Sequence, residues 1–279
     1  MLKKLKSLEP YFKFTKEKNR TDTLYYDNFY SDDELCLLRM PIDKVLDSKY
    51  IYCEDECGEL DFNFLMRYSS QIKKAYNSIN DKELFLRYLM RVITTDKRFY
   101  LLPISNFEIY HHPLLKNNFE VMIDCGSYDM KDLKNFNAKE IFAFEPNKFQ
   151  FSKLMNVKKS SIAVSDKKGI SDFYLNGQAS SLTRESNQKI KVVTNSLDNI
   201  FKNKKIDFIK MDIEGEESNA IMGASNIIKR WKPNLAISLY HKKTDFFEIP
   251  NLIKSINKDY IFYLGNHSLL NIDFVLYAI

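Results

Sequence analysis

Three groups of acidic residues stand where a short apolar run stops. Val121-Met122-Ile123 leads into Asp124-Cys125-Gly126-Ser127-Tyr128-Asp129, Ile141 to Phe144 leads into Glu145-Pro146, and Ile206 to Met211 leads into Asp212-Ile213-Glu214-Gly215-Glu216-Glu217. A glycine just past a strand lets the backbone approach a ligand closely. An acid about 20 residues further on is spaced to return beside the same ligand and accept from ribose hydroxyls. Asp124 and Glu145 are 21 residues apart. The chemistry implied is that of a nucleoside-bearing ligand held among carboxylates.

The residues after Asp124 discriminate between such ligands. A dinucleotide's pyrophosphate needs bare backbone amides from a glycine-rich turn, but here one glycine is followed by Ser127, Tyr128, Asp129 and Met130. Asp124 and Asp129 would repel that anion and attract a cationic sulfonium or ammonium group. Further on, Tyr240-His241-Lys242 follows another apolar run. An imidazole with an ordinary pKa of about 6.5 suits a general base, which makes His241 the first candidate for activating a hydroxyl, with Asp212 or Glu214 as the second. Asp212, Glu214 and Glu217 also offer oxygen ligands to Mg²⁺. Carboxylates two apart on a strand end, with a third one turn into a helix, are equally caps and salt bridges, so no metal is assigned.

The elements that must position these groups alternate. Near-continuous apolar runs at Val121–Ile123, Ile141–Phe144, Ser161–Val164, Ile206–Met211 and Leu235–Tyr240 read as strands buried on both faces. Ile221, Ala224, Ile227 and Ile228 give the stripe of an amphipathic helix between the last two, the β-α-β signature of a parallel sheet. The runs from Tyr260 to Leu264 and from Phe274 to Ile279 are too close together for a crossover and must pair antiparallel. Upstream, Leu84, Phe85, Tyr88, Leu89 and Val92 predict a helix over 81–94, capped by Asn80 or Asp81.

Composition sets the frame. The 279 residues are 44% hydrophobic and 14% aromatic with only 7 Gly and 7 Pro, which excludes collagen-like and low-complexity classes. No apolar run approaches a membrane span, so a soluble cytoplasmic protein is expected. Cys36, Cys53, Cys57 and Cys125 are too few for a disulfide scaffold, and Cys53 and Cys57 have no nearby His to complete a zinc site. Charge is zoned: residues 1–20 carry a net +5, residues 21–62 a net −9 and residues 63–279 a net +9. The basic arm argues for RNA or protein as an acceptor, and the acidic zone argues against a polyanion. His111 and His112, before Pro113, read as exposed loop residues, and His267 as structural.

Asp-Cys-Gly-Ser-Tyr-Asp, Phe-Glu-Pro, Ser196-Leu197-Asp198, Lys210 to Glu217 with Gly223-Ala224, Pro233-Asn234-Leu235, Tyr240-His241-Lys242 and Val275-Leu276-Tyr277-Ala278 occur in one order over 118–279, some 58% of the chain. In that order they resemble the FkbM family of S-adenosylmethionine-dependent methyltransferases. The resemblance implies an α/β fold: a Rossmann-like class I methyltransferase sheet of parallel strands with a terminal antiparallel hairpin over 118–279. Residues 1–117 are then an N-terminal, mainly helical cap that covers the acceptor side or forms a dimer face. It implies that Asp124, Gly126, Ser127 and Tyr128 approach the amino-acid part of S-adenosylmethionine and that Glu145, with Pro146, holds the ribose. Val164 and Asp166 would border adenine, and Asp212 would face the sulfonium. Met130 stands where this family usually has a glycine, and Gly265 where related chains often have an Arg.

The function implied is O-methylation of a carbohydrate or nucleotide-linked sugar, with or without a phosphate, in surface-polysaccharide or natural-product assembly. A methyltransferase of RNA or protein, and a non-catalytic cofactor-binding platform for a partner, are the alternatives.

Overall fold

Six of the seven apolar runs assemble into one central sheet, with helices packed on it. The structure, a computed structural model, describes residues 61–93, 102, 104–116, 118–128, 132–147, 156–268 and 273–279. The basic arm of residues 1–20, the acidic zone as far as residue 60, Cys36, Cys53, Cys57, Asp129 and Met130 lie outside the described residues.

Two helices come first, α1 (Phe62–Ser78) and α2 (Lys82–Ile93). Asp61 caps α1 by accepting from the Phe64 amide at 3.0 Å. The second helix falls where its stripe predicts, but Asp81 does different work: its Oδ2 accepts from the Leu264 amide at 2.7 Å and ties the helix start to the sheet. Then come β1 (Asn118–Cys125), β2 (Asn137–Phe144), β3 (Val157–Ser160), β4 (Ala163–Val164), β5 (Gly169–Tyr174), β6 (Lys189–Asn195), α3 (Leu197–Phe201) and β7 (Phe208–Met211). The chain ends with α4 (Glu217–Met222), α5 (Ser225–Trp231), β8 (Asn234–Ser238), α6 (Asp245–Ile256), β9 (Phe262–Asn266) and β10 (Phe274–Ala278).

The main sheet runs β3-β2-β1-β7-β8-β10-β9. Its first five strands are parallel, and β10 is antiparallel to both β8 and β9. Every residue of β7 and β10 is buried, the expected state of strands covered on both faces. The helices α1 and α2 share this core. Phe64 and Tyr68 pack on Phe247 of α6, and Tyr88 stacks on Phe274 of β10 with ring centroids 3.9 Å apart. Among the described residues no helix is long and apolar enough to cross a membrane.

The sequence reading needs correction in three places. The third parallel strand is β3, not 161–164. Val157-Lys158-Lys159-Ser160 lies on the sheet edge, half-exposed, and so lacks an apolar run. Ala163-Val164 belongs instead to a second, three-stranded sheet, β4-β6-β5, whose polar outer face conceals β5 and β6 from an apolar search. Finally, although a parallel sheet leads one to expect a helical crossover after β1, among the described residues no long helix directly follows it. Only eleven residues separate β1 from β2, and the described part forms a single 3-10 turn, Asp132–Asn135, since a helical crossover needs about a dozen residues or more.

Candidate functional site

Strand β1 has β2 on one side and β7 on the other, and the strand order reverses there. In open α/β sheets the crevice at the carboxyl ends beside such a switch point holds the ligand. Gly126 shapes this crevice. Its φ is +82°, and a Cβ there would lie 1.8 Å from the carbonyl oxygen of Asp212, so no other residue fits. Two bonds hold the two strand ends together: the Asp212 amide donates to Cys125 O, and Lys210 Nζ donates to Gly126 O, both at 3.0 Å.

Lys210 also decides what Asp124 does. The sequence reading has Asp124 face the ligand's cationic groups. Instead Lys210 Nζ lies 3.0 Å from Asp124 Oδ1, with the two side chains 2% and 1% exposed. A carboxylate at that depth must be paired, and Asp124 is absent from the walls of the crevice. The crevice itself encloses about 630 Å³. Gly126, Ser127, Tyr128, Glu145, Pro146, Val164, Asp212 and Glu214 line it. Asp166 does not; it follows β4 on the exposed side, and Ile162, Ala163, Phe173 and Leu182 complete an apolar wall around Val164 instead.

Glu145 joins two loops at the mouth: Oε2 accepts from the Tyr128 amide at 3.1 Å and Oε1 from the Asn147 amide at 2.7 Å. Burial pushes its carboxyl above the usual range, while these amide bonds pull it down. Asp212 stands between two tyrosines. Tyr240 donates to Oδ1 at 3.0 Å and Tyr110 to Oδ2 at 2.9 Å. Burial alone would raise the Asp212 carboxyl, but the charges of Lys210 and His241 hold it below the usual range.

His241 is placed differently from the expectation of a base. Its Nδ1 is 2.8 Å from Glu217 Oε1, and its Nε2 is 3.4 Å from Asp212 Oδ1 and 3.6 Å from Glu214 Oε2. Burial would lower the imidazole, but the Glu214 carboxylate beside it, the bond to Glu217 and the surrounding negative charge push it up to about 10. At neutral pH the ring carries its proton and cannot accept another. It also sits behind the cavity wall rather than on it. In this arrangement His241 is a cation that organises Asp212, Glu214 and Glu217, and Glu217 Oε1 also accepts from the Ile213 amide at 2.8 Å.

A second cavity of about 550 Å³ opens on the other side of Asp212, lined in part by Ser105, Phe107, Glu108, Tyr110, His267 and Asp273. Asp212 and Asp273 border both cavities. A chain of bonds braces this second wall. Tyr110 N donates to Tyr277 Oη at 3.0 Å, and Tyr277 Oη lies 2.9 Å from His267 Nε2. Burial pushes His267 down to about 4, so its ring is neutral and accepts the Tyr277 proton. Gly265 makes room for it: a Cβ there would lie 2.6 Å from His267 Nε2, which leaves no space for the Arg of related chains. His111 and His112 are half-buried rather than exposed, stacked on Phe136 and Tyr263.

Backbone strain marks the same region. Tyr110, Tyr128 and Glu214 take φ of 64°, 30° and 56°, and each lines one of the two cavities. Such conformations cost roughly 1–3 kcal/mol each and collect at functional sites. Sequence reasoning missed Tyr110, Lys210 and Arg184. Arg184 donates to Glu214 Oε2 at 3.2 Å and to His241 O at 3.0 Å. A lysine inside the apolar run Ile206–Met211 was an available signal for Lys210; the other two left none.

A family model described as the methyltransferase FkbM domain matches residues 124–262. Among solved structures, the chain is similar to the crystal structure of methyltransferase FkbM from Methylobacillus flagellatus KT, with a TM-score of 0.62 and 21% identity. The match covers 78% of this chain and 60% of that one, so this chain spans well under two thirds of its length, and the likeness shows the fold. No curated protein matches the chain.

Proposed function

The chain belongs to the FkbM methyltransferase family, and from that premise we propose that its 630 Å³ cavity binds S-adenosylmethionine and that it methylates a saccharide hydroxyl. The observation that carries this reading is charge. Among the described residues, Glu145, Asp212, Glu214, Glu216 and Asp273 line the cavity against only Arg184 and Lys210, a surplus that suits a cationic sulfonium and ammonium and opposes a pyrophosphate. The residues also fit the rest of the group. Ile162, Val164, Phe173 and Leu182 give adenine an apolar wall, and the two Glu145 oxygens keep lone pairs for the ribose hydroxyls after accepting their amides. When bound, the cofactor supplies a methyl group made electrophilic by its sulfonium.

The chain's own residues do the remaining work by position. Asp212 faces both cavities, its carboxylate held by Tyr110 and Tyr240, and from there it accepts a hydrogen bond from the acceptor hydroxyl and aims that oxygen. Orientation of this kind accounts for about 7–11 kcal/mol of a barrier at best. Glu214 lies beside it on the cofactor side. His241 fixes both carboxylates from behind and does not take the hydroxyl proton.

The second cavity is the acceptor's place in this reading. Its lining holds Glu108, Asp212 and Asp273 and, among the described residues, no Lys or Arg. The reacting end of the acceptor is therefore uncharged, and any phosphate of a nucleotide-linked sugar stays outside. Assembly of surface polysaccharide or a natural product in the cytoplasm is the setting we assign. Mass spectrometry of nucleotide sugars and neutral oligosaccharides incubated with the protein and S-adenosylmethionine tests it. A gain of one methylene on a neutral sugar ring is expected; a gain confined to RNA, protein or phosphate groups would contradict it.

A further inference from the structure

The group formed by Asp212, Glu217 and His241 is unfinished in a way that methyl transfer alone does not explain. The ligating atoms of these three residues lie within 4.8 Å of one another. His241 Nε2 has no hydrogen-bond partner although the side chain is only 1% exposed, and it points at Asp212 Oδ1 3.4 Å away. Glu217 Oε2 is likewise buried and unpartnered. Buried polar atoms are nearly always satisfied, so Nε2, aimed at carboxylate oxygens, calls for a partner. Two ligands that share a first-row metal ion at about 2.0–2.2 Å lie roughly 3.0–3.5 Å apart, the separation seen between Nε2 and Asp212 Oδ1.

We propose that His241 Nε2 and Asp212, with Glu217 holding the ring from Nδ1, bind a divalent cation beside the cavity of the proposed methyl transfer. The inference deepens that reading and rests on it only for the use of the metal. Charge supports it: Asp212, Glu214 and Glu217 surround one imidazole. The cations that face the group from neighbouring elements are already engaged. Lys210 is paired with Asp124, and Arg184, its side chain 48% exposed, is engaged by Glu214 and the His241 carbonyl. Glu214 Oε2, 3.6 Å from Nε2, is within reach as a further ligand.

The support around the ring is that of a metal histidine. Glu217 Oε1 at 2.8 Å from Nδ1 fixes the imidazole with Nε2 outward, the carboxylate–histidine pairing that orients such ligands. A mixed imidazole and carboxylate set suits Mn²⁺ or Zn²⁺. Asp212 and Glu214 lie on the cavity wall, so the ion has a path in and an open side toward an acceptor oxygen. Metal and proton compete for Nε2, and the metal-free cluster is the protonated one described above.

The test uses Mn²⁺ with the full chain after EDTA treatment, without cofactor or acceptor, so that its failure leaves the methyltransferase reading standing. The free Mn²⁺ resonance should fall with one ion bound per chain, and the melting temperature should rise with added Mn²⁺. Asp212→Asn and His241→Ala should each weaken uptake at least tenfold, whereas Asp172→Asn, at a surface acid paired with Lys189 and Lys191, should not. If wild-type protein takes up no Mn²⁺ at millimolar concentration, or if Asp212→Asn and His241→Ala bind it as well as wild type, the proposal is overturned.

Discussion

The two cavities meet at Asp212 yet are built in opposite ways. The polar wall of the proposed cofactor cavity is formed largely by the tips of neighbouring strands, β1, β2 and β7, so Gly126, Glu145 and Asp212 sit just past an apolar run, while the second sheet adds the apolar wall. The second cavity, the proposed acceptor side, is assembled from a loop at 104–111 and the end of the β9–β10 hairpin, some 160 residues further along. One is positioned by the sheet, and the other by the Tyr110–Tyr277–His267 chain of hydrogen bonds. A sheet edge can therefore present a constant cofactor site while the opposite wall changes with the acceptor.

Removing Lys210 should break the cofactor side most severely. Lys210→Met leaves Asp124 charged, buried and unpaired, and loss of one partner of such a pair costs about 3–5 kcal/mol. Chemical denaturation should register that loss, and Lys210→Met combined with Asp124→Leu should recover most of it. A single variant as stable as wild type would mean that the pair does not hold the strand tips together.

Tyr110→Phe should separate the two sides. It deletes a bond to the Asp212 carboxylate, and bonds to charged groups contribute about 1.5–3 kcal/mol. Turnover should fall about tenfold or more, while the affinity for S-adenosylmethionine stays within about threefold. Equal losses in both would show that the cavities are not independent.

The smallest effect belongs to His267. Its folded pKa of about 4 lies below the ordinary 6.5, so between those pH values the unfolded chain takes up a proton that the folded chain refuses. Stability is therefore full above about pH 6.5 and falls as the pH drops toward 4. The ring is partly accessible, and screening reduces the effect to about 1–2 kcal/mol. Denaturation at a series of pH values should show this slope, and His267→Gln should flatten it. A variant with the wild-type slope would place the titration elsewhere.

The same contrast explains what could be read from the residues in order. Strand tips are local, so Gly126, Glu145 and Asp212 were legible from the runs before them, and so was the antiparallel end of the sheet. The edge strand β3 and the polar β5–β6 pair were not, because half-exposed strands carry no continuous apolar signal. Nor was the charge state of His241. Its ordinary pKa suggested a base, but the three carboxylates that protonate it lie 24 to 29 residues earlier and converge only on folding. Asp124 looked unpaired for the same reason, with Lys210 supplied by a strand 86 residues later.

The central claim, that the acidic cavity at the β1–β7 switch point holds S-adenosylmethionine, is most directly tested by calorimetric titration of that compound into wild-type protein and Glu145→Ala. Glu145 would make hydrogen bonds contributing about 1.5–3 kcal/mol each to the ribose. Saturable binding that weakens about tenfold or more in the variant is predicted. No heat in the wild type, or equal affinity in both proteins, would contradict it.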